Sequence, residues 1–318
     1  MGAVIRGIGI YHPENILTNS DLEKMVDTTD EWITSRTGIR QRHILPKDSA
    51  LKSSDFGAFA AIAAMERAGV VPEDIDGIIC ANINPDKQFP ATACFIQAKI
   101  GARNAFAFDV TAACAGFVYA ANMASLLIDS GQCRNVLVIG SEILSRVLDW
   151  TDRNTCILFG DAAGAVVMGQ GPKDRGILLS RLKSDGTQSE VLYLNGPEAV
   201  GGPRGMFMDG KQVFKAAVTE VSAMVRSTLA DAGFAPSDLD LLVLHQANVR
   251  ILNAIAEKLG LPPEKVIINV ERYGNTSSAS IPLALHEADG QGRLKPGMLV
   301  ALAAVGGGMS WGCNLMRW

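Results

Sequence analysis

Three polar residues stand where apolar strand-like runs give way to helices: Cys114 in "DVTAACAGFVYA" (109–120), His245 after "LDLLVL", and Asn275 after "VIINV". A thiol at a helix N-terminus lies among unpaired backbone N–H groups and at the positive end of the helix dipole, both of which favour the nucleophilic thiolate. Burial pushes the other way, and the sequence alone does not decide between them. An imidazole and a carboxamide supply hydrogen bonds to an oxyanion without needing a net charge. Taken singly, each residue has a plainer reading: Cys114 as a small buried hydrophobe, His245 as a satisfied core histidine, Asn275 as a turn residue and helix cap. The elements that carry them argue for more.

Those elements repeat. "AGVVPEDIDGIICANIN" from Ala68 resembles "AGFAPSDLDLLVLHQAN" from Ala232, an offset of 164 (232 minus 68). Each reads as a helix end, a turn with proline and aspartate, then a strand. "AKIGARNAFAFDV" pairs with "EKLGLPPEKVIINV", "TAACAGF" with "ERYGNTS", and "SGQCRNVLVIG" with "GRLKPGMLVAL", in the same order and at offsets between about 159 and 164. Such self-similarity indicates duplication. The unit alternates strands and helices, so the expected fold is α/β with mostly parallel sheets covered by helices. Two halves, 1–172 and 173–318, meet at the polar, glycine-rich "GQGPKDRG" (169–176) and face one another in a five-layered α/β/α/β/α arrangement. In open α/β sheets ligands gather beyond the carboxyl ends of the strands. Asn275 falls at almost the repeat position of Cys114 (275 minus 114 is 161), which brings both to the centre.

With 318 residues, 48% of them hydrophobic, the chain can build a sizeable core. A formal charge of -4 argues against a general nucleic-acid binder, while leaving room for a local basic patch. No charged residue lies between Asp109 and Asp129, but Thr111, Gly116, Asn122, Ser125 and many alanines mark a buried helix of the central layer rather than a membrane span. "MGAVIRGIGIYHP" reads as a strand interrupted by Arg6, not as a signal peptide or a myristoylation site, so the cytoplasm is the expected location. Cysteines at 80, 94, 114, 133, 156 and 313 make no C-x-x-C pair and have no close histidine, so neither a zinc site nor disulfides are expected.

Six stretches, "NSDLEKMVDTTDEWITSRTGIRQRH", "AACAGF", "GDAAGAV", "HQANVRI", "YGNTSSAS" and "GGGMSWG", taken together make the whole chain resemble β-ketoacyl-acyl carrier protein synthase III. That family comprises the initiating condensing enzymes of bacterial type II fatty acid synthesis, in the thiolase-fold group. Other branches of the group use Cys-His-His or Cys-His-Glu in place of Cys, His and Asn. The resemblance implies that Cys114 takes an acyl group, typically acetyl, from coenzyme A as a thioester. Malonyl-acyl carrier protein then loses carbon dioxide and its enolate carbon attacks that thioester. His245 and Asn275 would donate to the malonyl thioester oxygen, and the backbone N–H groups of Cys114 and Gly307 would form the oxyanion hole. Coenzyme A thioester is a substrate, and no metal, flavin or redox nucleotide is implied.

The same resemblance makes Trp32, Arg36 and Arg153 a coenzyme A clamp, with Thr28, Phe214 and Asn248 along the pantetheine route. Read without it, Trp32 is a helix anchor and Arg36 a solvated charge. Lys215, Arg250 and Lys258 form the expected patch for an acidic carrier protein. Phe89 in "QFPATAC" matches the position that closes the partner's acyl pocket across a homodimer interface, which suggests short primers. Ala162 stands where glycine is usual, and Val305 where a bulkier Phe or Met is common, enlarging the space near the site. Three rivals remain: a thiolase-fold acyltransferase of secondary metabolism, a catalytically silent partner subunit, and a Cys-His thioester hydrolase. The presence of Cys114 with both partners disfavours the silent subunit, and a hydrolase leaves the coenzyme A and carrier features without a purpose.

Overall fold

Runs of Val, Ile, Leu and Ala become strands buried on both faces, as expected where helices cover each side of a sheet. A computed structural model describes residues 1–196 and 205–318. The first sheet contains β1 (Gly2–Tyr11), β2 (Gly77–Ala81), β3 (Phe106–Val110), β4 (Asn135–Glu142) and β5 (Ala162–Gly171), in the order β1-β5-β4-β2-β3. The second contains β6 (Gly176–Ser184), β7 (Leu241–Leu244), β8 (Leu299–Gly306) and β9 (Ser310–Arg317), in the order β7-β8-β9-β6. Matched strand for strand, β6, β9, β8 and β7 of the second sheet repeat β1, β5, β4 and β2 of the first. The two sheets divide the chain between Gly171 and Gly176.

The sheets are mixed. Strand β2 runs parallel to β3 and β4, and β7 runs parallel to β8, so the inner strands are parallel as the repeat implies. The outer pairs β1–β5, β4–β5, β8–β9 and β9–β6 are antiparallel. Strands β8 and β9 are joined by the three residues Gly307 to Met309, and so short a link can connect only antiparallel strands. The register of β1 shifts between Ile5 and Gly7, where Arg6 interrupts the apolar run.

One expected strand is absent. "VIINV" forms a single bridge, Val266 to Leu242, at the place β3 occupies in the first sheet. The Gln246 side chain takes over the ladder: its Nε2 donates to the carbonyls of Leu244 (2.9 Å) and Ile267 (3.0 Å), and its Oε1 accepts from Asn269 N (2.9 Å). Backbone groups satisfied in this way no longer require an edge strand.

The helices complete the layers: α1 (Asp30–Thr37), α2 (Ser53–Ala68), α3 (Thr92–Ile100), α4 (Gly116–Asp129), α5 (Gly210–Ala216), α6 (Ser222–Asp231), α7 (Val249–Leu259) and α8 (Ser280–Gly290). Phe56 and Ala60 of α2 and Ile96 of α3 pack on Ile78, Leu137 and Val167 of the first sheet. On the other face of that sheet, Ile79, Val138 and Val166 meet Phe117 and Ala121 of α4 and Ile281 and Leu285 of α8, which also cover Val243 and Leu302 of the second sheet. The outer face of the second sheet packs on Val225 of α6 and on Ile251, Leu252 and Ile255 of α7. The order is therefore α/β/α/β/α, with α4 and α8 in the middle. Helix α4 follows the carboxyl end of β3, and α8 follows the run that makes the single bridge at Val266.

Candidate active site

Cys114 lies in a one-turn 3-10 segment, Ala113–Ala115, that leads into α4. Ser277–Ala279 is the matching segment before α8. Ala113 (φ 46°) and Ser277 (φ 49°) are both non-glycine residues held in the left-handed region, a strained conformation that surrounding contacts must maintain. They are 164 residues apart (277 minus 113), as are the helix starts Gly116 and Ser280. The repeat partner of Cys114 is therefore Ser278 (278 minus 114 is 164), and Asn275 sits three residues before it. The near-equivalence of Asn275 and Cys114 is corrected accordingly: the second half spends four more residues between the end of its apolar run (Val270) and its helix (Ser280) than the first half does between Val110 and Gly116.

Cys114, His245 and Asn275 line one cavity of about 660 Å³, together with Asn248 and Gly307. A Cβ on Gly306 would lie 2.6 Å from Cys114 N, so a glycine there lets β8 close against the cysteine backbone. Cys114 is 7% exposed, and burial pushes its thiol up to about 12, with the Ser277 side chain acting in the opposite direction. Desolvation outweighs the hydrogen bonds that oppose it, and the resting group is the thiol. Ser277 Oγ itself meets no partner at hydrogen-bonding geometry.

Burial drives His245 down to about 4, so its imidazole is neutral. Its Nδ1 lies 2.7 Å from Ser280 Oγ, which leaves Nε2 as the nitrogen for the cavity. The hydroxyl serves either tautomer. It can accept from Nδ1–H while donating to Ser277 O at 2.8 Å, or turn its own proton to Nδ1. Nε2 can therefore accept a proton in one step and present one in another. Asn275 is pinned by its backbone, its N donating to Leu158 O (2.8 Å) and its O accepting from Gly160 N (3.0 Å). Its Oδ1 accepts from Ser277 N at 2.8 Å, so the amide N–H groups remain for the cavity.

Trp32 stands outside that cavity beside two guanidinium groups, Arg36 at 4.5 Å and Arg153 at 5.3 Å from its ring centroid. Arg153 also donates to Asp27 O at 2.7 Å. Thr28 Oγ1 is buried without a partner. Helix α1, which carries Trp32, packs on α7, whose N-cap Asn248 lines the cavity. Arg250 lies 5.9 Å over the Phe214 ring. Lys215, Arg250 and Lys258 are exposed, and none forms an ion pair among the described residues. Phe89 is 83% exposed and does not line this chain's cavity, although its neighbours Pro85 and Gln88 do.

Sequence reasoning missed Glu142, Ser277, Ser278 and Ser280. The signals were present: a lone acid ending the apolar run "NVLVIGSE", and three hydroxyls in "SSAS" two residues after Asn275. Among the described residues, no group of three or more His, Cys, Asp or Glu could hold a metal ion, and no helix is long and apolar enough to cross a membrane.

This layering, with a cysteine and its polar partners at the centre, is that of a thiolase-fold condensing acyltransferase. Comparison with known proteins places the chain more narrowly. Residues 108–186 match the model for 3-oxoacyl-[acyl-carrier-protein (ACP)] synthase III, and residues 229–318 match its C-terminal model. The β-ketoacyl-[acyl-carrier-protein] synthase III of Aquifex aeolicus is 47% identical over 318 residues, covering 100% of both chains, and its crystal structure superposes with a TM-score of 0.94. The synthase III of Xanthomonas oryzae pv. oryzae is 49% identical, covering 99% of this chain and 98% of its own. The synthase III structure from Thermus thermophilus has a TM-score of 0.94 at 41% identity, covering 99% of each chain. The chain belongs to the β-ketoacyl-acyl carrier protein synthase III family.

Proposed function

We propose that this enzyme initiates fatty acid synthesis by condensing an acyl-coenzyme A primer, acetyl in the simplest case, with malonyl-acyl carrier protein to give a 3-oxoacyl-acyl carrier protein. The reading is carried by the convergence of Cys114, His245 and Asn275 on one cavity. In the first half-reaction the neutral His245 accepts the thiol proton at Nε2 as Cys114 attacks the primer carbonyl. The N–H groups of Cys114 and Gly307 hold the tetrahedral oxyanion, and coenzyme A leaves as the thiol. In the second, malonyl thioester loses carbon dioxide, and His245 Nε2–H with the Asn275 amide N–H stabilise the enolate oxygen. The enolate carbon then attacks the cysteinyl thioester and expels the Cys114 sulfur. Hydrogen bonds to developing charge in a dry cavity need no reorganisation, so they act most strongly at the enolate.

The Trp32, Arg36 and Arg153 cluster suits an adenine with its phosphate, and Thr28, Phe214 and Asn248 suit the pantetheine arm. Lys215, Arg250 and Lys258 supply the unpaired positive charge an acidic carrier protein requires. The halves 1–172 and 173–318 divide the chemistry, the first giving the nucleophile and the second its polar partners. A homodimer is the proposed assembly: β3 leaves a free sheet edge, and Phe89, Phe106, Met123 and Leu126 are exposed apolar side chains. In it Phe89 would reach the partner's acyl cavity. The cytoplasm is the proposed location, and no metal or redox cofactor enters the scheme.

The test is to incubate the protein with a panel of acyl-coenzyme A primers, look for added mass at Cys114, and then supply malonyl-acyl carrier protein. Acylation followed by a 3-oxoacyl product is expected. Acylation without carbon–carbon bond formation overturns the reading, and exclusive use of branched or long primers favours the secondary-metabolism relative.

A further inference from the structure

Beneath the catalytic loop lies a carboxyl group with no charged partner. Glu142, the last residue of β4, is 0% exposed and forms no ion pair among the described residues. Its Oε1 lies 2.7 Å from Ser278 Oγ, and its Oε2 accepts from Ile83 N at 3.2 Å. Ser278 Oγ is also 2.9 Å from Ala81 O. A serine hydroxyl has one proton, yet it faces two oxygen acceptors here if the carboxyl is ionised. A protonated Glu142 resolves the conflict: Oε1–H donates to Ser278 Oγ, and Ser278 O–H donates to Ala81 O. Every member of the buried chain is then satisfied, which is the condition such networks must meet. Close approach is built into the backbone, because a Cβ on Gly140 would lie 2.4 Å from Ser278 O.

We propose that Glu142 is a positioning residue that holds a proton in the resting enzyme, bracing the Ser277–Ala279 turn through Ser278 and keeping negative charge away from Cys114. This rests on the reading of Cys114 as the nucleophile. The braced turn reaches both polar partners: Ser277 N holds the Asn275 amide, and Ser277 O receives the Ser280 hydroxyl that meets His245. Burial moves Glu142 up to about 7. Its titratable surroundings are few. Cys114 faces it from the turn before α4, and Cys80 from β2; burial raises both thiols, and the charge of Glu142 adds to it. The segment from Asn275 to Ser280 brings only amide and hydroxyl groups, with neutral His245 beyond. Next to β5, the Asp161 carboxylate is occupied by Leu45 N and by Ser145 N and Oγ.

Glutamine copies the protonated form, since its Nε2 can donate to Ser278 while its oxygen accepts from Ile83 N. The experiment follows the alkylation rate of Cys114 by iodoacetamide from pH 6 to 9, quantified on the Cys114 peptide because the chain has six cysteines. In wild type, ionisation of Glu142 near neutrality opposes thiolate formation, so the rate climbs less steeply through that region. Glu142→Gln should climb steadily, converging on wild type toward pH 6 and running about three- to tenfold faster above pH 8. Ser278→Ala, a small change, should displace the wild-type inflection, because it removes the hydroxyl that bonds the Glu142 carboxyl. Superposable profiles for wild type and Ser278→Ala, or a Glu142→Gln rate at or below wild type above pH 8, overturn the proposal. A structural role alone would lower the melting temperature without altering the profile. Should Glu142→Gln not fold, Ser278→Ala decides alone. Alkylation requires neither primer nor carrier, so failure of the condensing-enzyme reading would show separately, as missing product with these profiles intact.

Discussion

The amide oxygen of Asn275 accepts the backbone N–H of Ser277 at 2.8 Å, so the side chain cannot turn its oxygen to the cavity without orphaning a buried donor. Orientation is therefore set by the strained Ser277 backbone rather than by the substrate. Asn275→Asp keeps the acceptor but places a second oxygen where the amide donated. Condensation should fall by about a hundredfold or more, the scale of losing one oxyanion donor, while primer transfer to Cys114 continues. Separate assays of acylation and of malonyl decarboxylation check this; equal losses in both would assign Asn275 a structural role.

At the clamp, one indole serves two guanidinium groups, Arg36 and Arg153. Cation–π contacts of this kind contribute about 0.5–2 kcal/mol. Trp32→Ala should raise the KM for acyl-coenzyme A by about tenfold, with little change for malonyl-acyl carrier protein, which carries no adenine. Steady-state kinetics with each substrate varied in turn measures the split, and a matched rise in both KM values would move Trp32 out of the adenine contact.

Much of this arrangement was open to reading from the residues, and the places where it was not share a cause. The duplication was visible because buried strands of both halves must be continuously apolar and must stop at the same turns. Side-chain substitutions for backbone structure left no such trace. Gln246 replaces the hydrogen bonds of an expected strand at Val266, and nothing in the pattern of "VIINV" announces it. The extra loop length that makes Ser278, not Asn275, the counterpart of Cys114 lies where length is free to vary. Glu142 escaped notice because a lone acid at a strand end usually reads as a solvated terminus.

Arg250 lies over the Phe214 ring, next in sequence to the cavity-lining Ile251, and is free of any ion pair among the described residues. Arg250→Glu should weaken malonyl-acyl carrier protein turnover about tenfold at low salt, less at high salt, and leave acyl-coenzyme A loading nearly intact. A loss shared by both half-reactions would place the effect on the pantetheine route instead of on carrier docking.

His245 also ties stability to pH. Its folded-state value of about 4 lies below the ordinary 6.5, so on acidification the unfolded chain binds the proton first. Stability linked to this group is complete above pH 6.5 and is lost as the pH falls toward 4, by about 3 kcal/mol in all. Glu142 acts in the opposite sense, since a carboxyl raised to about 7 penalises the fold at neutral pH and relieves it on acidification toward 4.5. The two partly cancel between pH 6.5 and 4.5, so a bare wild-type profile would conceal both. Comparing wild type with His245→Gln by urea unfolding at pH 7, 5 and 4 isolates the histidine. Wild type should lose about 3 kcal/mol more than the variant between pH 7 and 4. Parallel loss in the two proteins would mean that the imidazole already carries its proton in the folded state, and with it the role of His245 as proton acceptor for Cys114 would fail.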